Sequence, residues 1–94
     1  LSKLNLLYLS KAIGRFGGKY NIISNCISPG YIDTKFHTKV MKRSKKDLKI
    51  RQAKSKLGRS GSPQEIAEFI NFLISNKSNY FTGQNLNIDG GDWI

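Results

Sequence analysis

The sequence predicts an α/β fold wound around a parallel sheet, and three observations predict it. The elements read in the order helix, strand, long excursion, helix, strand, the order of parallel β-α-β winding with right-handed crossovers. Ser62-Pro63-Gln64-Glu65 is a capping box with proline at the first helical position, which fixes a helix start inside the chain. Two short β-rich runs, one stopped by Pro29-Gly30 and the other by Gly90-Gly91, bracket the excursion and that helix.

Residues 4–16 carry Leu4, Leu7, Tyr8 and Ala12 on one stripe, with Leu6, Leu9, Ile13 and Phe16 filling much of the opposite side. A helix apolar nearly all round needs cover on two sides. Gly17-Gly18 punctuates its end, and Ile22-Ile23-Ser24-Asn25-Cys26-Ile27 reads as a strand closed by the proline. Between Tyr31 and Ser60 the pattern is weakly helical and crowded with lysine, with Val40, Met41, Leu48 and Ile50 as sparse apolar points. This excursion is expected to hold one or two short helices. After the capping box, Ile66, Phe69, Ile70, Leu73 and Ile74 recur at the three-and-four spacing of one buried helix face, ended by Asn76 to Asn79. Alternation of Leu86 and Ile88 within residues 85–89 predicts the last strand.

Composition narrows the class. Ninety-four residues suit one small domain or a piece of a larger one, and the only methionine is Met41, so Leu1 does not read as a translation start. An absent N-terminal part is the expectation. A hydrophobic content of 38% with ten aromatics argues for a globular chain rather than a disordered tail. Cys26 is the single cysteine and can neither close an internal disulfide nor complete a thiolate metal site, so a cytoplasmic setting is expected. No apolar run approaches the roughly 20 residues of a membrane span, so no membrane partner is expected. The net charge of +10 is concentrated. Residues 35–59 hold eleven of the sixteen Lys and Arg against one acid, Asp47, while the five remaining bases and five remaining acids cancel.

Several short motifs, in order, resemble the second half of a short-chain dehydrogenase/reductase. Ser2-Lys3 is similar to the end of that family's Tyr-x-x-x-Lys signature, and Asn25-Cys26-Ile27-Ser28-Pro29-Gly30 to its Asn-x-x-x-Pro-Gly strand end. Leu57-Gly58-Arg59, the capping box with Ile66-Ala67, Phe72-Leu73-Ile74-Ser75, Thr82-Gly83-Gln84 and Asp89-Gly90-Gly91 continue the series. Each piece alone is a weak signal; their order and spacing carry the resemblance.

The resemblance implies that residues 1–94 are the C-terminal part of a Rossmann-type doubly wound parallel sheet, with a substrate lid at about residues 30–60 and the N-terminal dinucleotide-binding part absent. It implies an NAD- or NADP-dependent oxidoreductase that interconverts a hydroxyl and a carbonyl, similar to 3-oxoacyl-carrier-protein reductases or to sugar-modifying members. Lys3 is then the catalytic residue of this chain: it holds the nicotinamide ribose hydroxyls and favours the phenolate of a tyrosine four positions earlier, before Leu1. Pro29, Gly30, Ile32 and Thr34 complete the implied cofactor-binding set. Asn25, Arg59, Asp89, Gly90 and Gly91 are assigned structural roles, and Cys26 that of a small buried hydrophobe. His37 stands alone, with neither a triad nor a metal set around it.

The basic segment coincides with the implied lid. It reads either as a field that attracts an anionic or carrier-linked small-molecule substrate, or as a solvated lysine face with no partner. A nucleic-acid patch is disfavoured because Phe36 and His37 are the only aromatics between residues 35 and 59. The full-length protein is expected to be a homo-oligomer and this chain alone to be inactive. Two other readings stand beside the enzyme: a truncated, catalytically inactive oligomerisation module, and a small basic nucleic-acid binder.

Overall fold

The computed structural model describes residues 2–34, 39, 42, 44–92 and 94. Helix α1 spans Ser2–Gly17, strand β1 Cys26–Pro29, helix α2 Lys45–Ala53, helix α3 Pro63–Leu73 and strand β2 Asn85–Ile88. One-turn 3-10 segments, Gly18–Tyr20 and Asn76–Ser78, follow α1 and α3. Phe36, His37, Val40 and Met41, singled out from the sequence, lie outside the described residues.

Strands β1 and β2 are hydrogen-bonded neighbours. The Cys26 amide donates to the Gln84 carbonyl at 2.8 Å and the Gly30 amide to the Ile88 carbonyl at 2.9 Å, so numbering rises together along both strands and the pair is parallel. The ladder starts later than the β-branched run predicted. Asn21 takes a left-handed φ of 62° and the Ile22 amide bonds back to the Gly17 carbonyl at 3.1 Å, so these residues close the turn after α1. This local turn overrides strand propensity at Ile22 and Ile23. Pro29 belongs to the strand at a position whose nitrogen faces away from β2, so its missing amide costs this ladder nothing, and the Gly30 amide makes the last ladder bond.

Two compact units divide the chain: Leu1–Ser28 with Phe72–Leu86, and Pro29–Asn71 with Asn87–Ile94. In the first, α1 turns its small residues inward. Ser10, 7% exposed, shares a 2.9 Å hydrogen bond with Ser24, and Gly14 is buried beside the 82–83 turn. A Cβ on Gly14 would lie 2.8 Å from Thr82 Oγ1 and 3.2 Å from the Gly83 nitrogen, so this approach of helix to backbone requires glycine. The Asn25 side chain clamps the same turn, donating to the Phe81 carbonyl at 2.9 Å and accepting from the Gln84 amide at 3.1 Å.

In the second unit, Ser44 caps α2 by accepting from the Asp47 amide at 3.1 Å. The predicted capping box forms in both directions: Ser62 Oγ accepts from the Glu65 amide at 3.2 Å, and Glu65 Oε1 accepts from the Ser62 amide at 3.0 Å. The excursion holds α2 among its described residues, and no residue of α2 is buried.

The predicted buried faces are not buried. Among the described residues no apolar side chain is buried, and Ile70 and Ile74, assigned to the inner face of α3, are 41% and 78% exposed. Cys26, expected inside, is half-buried, with its thiol 3.9 Å from the Leu6 carbonyl. Periodicity marks an apolar face of a helix but does not supply what covers it.

Candidate active-site segment

The residues implied as a site fall in both units. Lys3 lies in the first turn of α1 in the first unit, with its side chain exposed. Pro29, Gly30, Ile32 and Thr34 lie in the second, on the chain that leaves β1. These four are neighbours in the sequence and lie on one stretch of chain.

The geometry of that segment follows from its hydrogen bonds. Gly30 packs against the turn after β2, where a Cβ would sit 2.7 Å from both Cα and Cβ of Asp89, so any larger residue would push the two chain segments apart. Beyond it, Ile32 pairs with Gly61 in an isolated parallel bridge. That bridge uses the neighbours' groups: the Gly61 amide donates to the Tyr31 carbonyl at 2.9 Å and the Asp33 amide donates to the Gly61 carbonyl at 2.8 Å. Successive residues of an extended chain point their amides to opposite edges. The amide and carbonyl of Ile32 therefore face the other edge, and neither has a hydrogen bond among the described residues. A donor and an acceptor side by side on a held backbone complement a carboxamide, which presents an acceptor and a donor in return. Thr34, half-buried, lies two residues further along the same chain.

Two supports hold this segment. Arg59 makes a bidentate pair with Glu65, both contacts at 2.9 Å, and Arg59 also donates to the Ser60 carbonyl at 3.0 Å, which ties the approach to Gly61 onto α3. The guanidinium, followed by the Ser62 amide, holds the Glu65 carboxyl at about 2, well below the usual carboxylate range. The second support is the Gly90 carbonyl. It accepts from the Lys56 amide at 2.9 Å, the Leu57 amide at 3.2 Å and the Ser55 hydroxyl at 3.2 Å, fixing the exit of α2 on the turn that packs against Gly30. Asp89 closes that turn by accepting from the Gly91 amide at 3.0 Å. Arg59, Asp89 and Gly90 have the structural roles expected of them, whereas Ser55 has no sequence signal, because its part depends on a carbonyl that every residue type carries.

A cavity of about 120 Å³ lies behind the segment, between Tyr31, Ile32, Leu57, Ile66 and Ile88. It is well below the roughly 300–1,000 Å³ of small-molecule sites and reads as a packing gap. A wider groove of about 460 Å³ in the first unit runs past Ile22, Ile23, Tyr80 and Phe81 and includes none of the implied site residues. No group of three or more His, Cys, Asp or Glu side chains that could hold a metal occurs among the described residues. No helix among them is long and apolar enough to cross a membrane.

Residues 1–92 match a family model described as enoyl-(acyl carrier protein) reductase. The chain is 43% identical over 90 residues to the 3-oxoacyl-(acyl-carrier-protein) reductase of Chlamydia muridarum, covering 96% of this chain and 35% of that protein. It is 33% identical to a probable 2,4-dienoyl-CoA reductase of Bacillus subtilis, covering 99% of this chain and 37% of the relative. Its fold superposes with a TM-score of 0.86 on a structure described as 4-hydroxyisoleucine dehydrogenase complexed with NADH, at 37% identity, covering 98% of this chain and 37% of that one. The chain thus spans little more than a third of the length of the relatives it matches.

Proposed function

The chain belongs to the short-chain dehydrogenase/reductase family, and from that premise we propose that it forms the C-terminal third of an NAD(P)-dependent reductase of thioester-linked acyl groups, interconverting a carbonyl and a hydroxyl. The observation that carries the reading is the free main-chain pair of Ile32, held by the Gly61 bridge beside the Pro29-Gly30 turn. It fits the carboxamide of a nicotinamide, and the relative solved with NADH supports that choice of ring.

In this reading Pro29 and Gly30 form the wall beside the ring, and the Ile32 backbone and Thr34 hydroxyl orient its carboxamide. Lys3 holds the ribose hydroxyls and keeps a tyrosine four positions before it acidic enough to exchange a proton with the substrate oxygen, because an ammonium within about 4–6 Å favours the phenolate. The bound nicotinamide supplies or receives the hydride. Residues 30–60 serve as the substrate lid; the names of two relatives support an acyl thioester as its cargo, and a relative named L-rhamnose-1-dehydrogenase, 38% identical, supports a sugar.

The upstream reading frame tests the assignment at once: a tyrosine four codons before Lys3 and a glycine-rich turn further upstream are required. With that part present, purified protein should oxidise NADH or NADPH in the presence of an acetoacetyl thioester, and Lys3→Ala should lower kcat by at least about a hundredfold. Absence of the tyrosine, or full activity in Lys3→Ala, ends the reading. A second reading, an inactive assembly module, is favoured by one observation. Leu6, Leu9, Ile13 and Phe16 form an uncovered stripe on α1.

A further inference from the structure

The peptide units on either side of Gly61 are each held at both ends. No peptide bond among the described residues is cis, and a trans unit points its carbonyl and its amide in opposite directions. In the unit that joins Ser60 to Gly61, the Ser60 carbonyl accepts from Arg59 at 3.0 Å while the Gly61 amide donates to the Tyr31 carbonyl at 2.9 Å. In the unit that joins Gly61 to Ser62, the Ser62 amide donates to Glu65 Oε1 at 3.0 Å while the Gly61 carbonyl accepts from the Asp33 amide at 2.8 Å. Arg59 and Glu65 therefore stand on one edge of Gly61, and the chain that carries Ile32 stands on the other.

We infer that Arg59 and Glu65 are positioning residues for the nicotinamide, which set where the Ile32 amide and carbonyl stand by holding the two peptide units of Gly61. The inference rests on the reductase reading above and deepens it, since it assigns the side chains that fix the ring seat. Three observations carry it. The charges run the right way at both units. A guanidinium on a carbonyl makes the amide of the same unit a better donor, and a carboxylate on an amide makes the carbonyl of its unit a better acceptor, so both bonds to the 31–33 segment are strengthened. The approach is close: a Cβ on Gly61 would lie 2.8 Å from Ile32 Cδ1, so a shift of Gly61 is felt at Ile32. Finally, the Arg59 and Glu65 side chains are 55% and 46% exposed, and so exposed a pair contributes little to stability. Its forked contacts, both at 2.9 Å, instead give it a fixed orientation.

The test uses the full-length enzyme and compares NADH and NADPH with ADP-ribose and its 2′-phosphate, the same ligands without the nicotinamide. Arg59→Gln should raise the Kd of whichever dinucleotide the wild type prefers about tenfold, and leave that of the matching ADP-ribose within about twofold. In the same variant without ligand, amide exchange should quicken at Gly61 and Asp33. Its KM for the dinucleotide should rise with the Kd, while kcat at saturating cofactor stays within about threefold. Arg59→Lys keeps the charge and a donor but loses the fork, and should recover part of the loss. An unchanged dinucleotide Kd overturns the inference. So does an equal loss for dinucleotide and ADP-ribose, which marks general damage to the fold, or unaltered exchange at Asp33. Should Arg59→Gln not fold, Glu65→Gln carries the same comparison, because it keeps an acceptor for the Ser62 amide. A wild type that binds neither dinucleotide ends the reductase reading and the inference with it. Failure of the inference alone looks different: wild type and variant then bind the dinucleotide equally well.

Discussion

The uncovered stripe on α1 makes a quantitative statement about the 94-residue chain by itself. Leu6, Leu9, Ile13 and Phe16 are 61%, 56%, 44% and 68% exposed. Complete burial of such a side chain contributes about 1.5–3 kcal/mol, and Leu9 and Ile13 each have roughly half of that still to gain. A second apolar surface that covers them therefore gains about 1.5–3 kcal/mol from these two residues on one copy. Replacing both by glutamine preserves helix propensity and removes that gain, which lowers an association constant by a factor of about 10–150 for each copy whose stripe the contact covers. Sedimentation equilibrium on the isolated chain reads this directly. The wild type should self-associate and bind a hydrophobic dye, while Leu9→Gln with Ile13→Gln should shift towards monomer with unchanged helix content. A wild-type chain that stays monomeric and dye-free, or a double variant that associates as strongly as the wild type, would refute the reasoning.

Other expectations concern single supports. The Glu65 carboxyl has its folded pKa lowered from an ordinary 4.5 to about 2, so its contribution is complete above about pH 4.5 and is lost as pH falls through about 2. A carbon-detected NMR titration of Glu65 should show that midpoint in the wild type and a rise towards 4.5 in Arg59→Gln; a wild-type midpoint near 4.5 would remove the ion pair from the account. Gly30→Ala forces Asp89 to move and should cost about 1–3 kcal/mol, read as faster amide exchange at Gly30 and Asp33. Unaltered exchange there would contradict the close packing. Asn25→Ala removes both arms of the clamp on the 81–84 turn, at about 1–3 kcal/mol, and should expose the Gln84 amide to exchange. Asn25→Asp should keep Gln84 protected, since it retains the acceptor, and its failure to do so would locate the stabilisation elsewhere.

What could be read in the sequence was local chemistry. The capping box needs only a hydroxyl and a carboxylate three residues apart, so Ser62 and Glu65 announced themselves, and the order of elements followed from apolar spacing on either side. Start of the first strand was misplaced because Ile22 and Ile23 have strong β propensity, whereas the left-handed Asn21 and the bond to Gly17 decide their conformation. Leu73, Ile70 and Ile74 show the limit of periodicity: it marks which side of a helix is apolar without saying what lies against it. In the candidate site, Lys3, Pro29 and Gly30 were visible through motif resemblance alone. Ile32 and Thr34 too came only through that resemblance, as positions whose main chain and hydroxyl contact a carboxamide; the edge to which the Ile32 amide and carbonyl point depends on the partner strand and not on the side chain.

The three donors gathered on the Gly90 carbonyl give the second unit a shared mounting point. The exit of α2 bears on the Gly90 carbonyl and Gly30 packs on Asp89, so α2 and the segment that leaves β1 are referenced to the same turn. For anyone redesigning the protein, this separates two kinds of change. Substitutions on α2 before Ser55 leave that mounting in register. Changes from Ser55 to Leu57, or in the 89–91 turn, shift α2 and the Gly30 segment together.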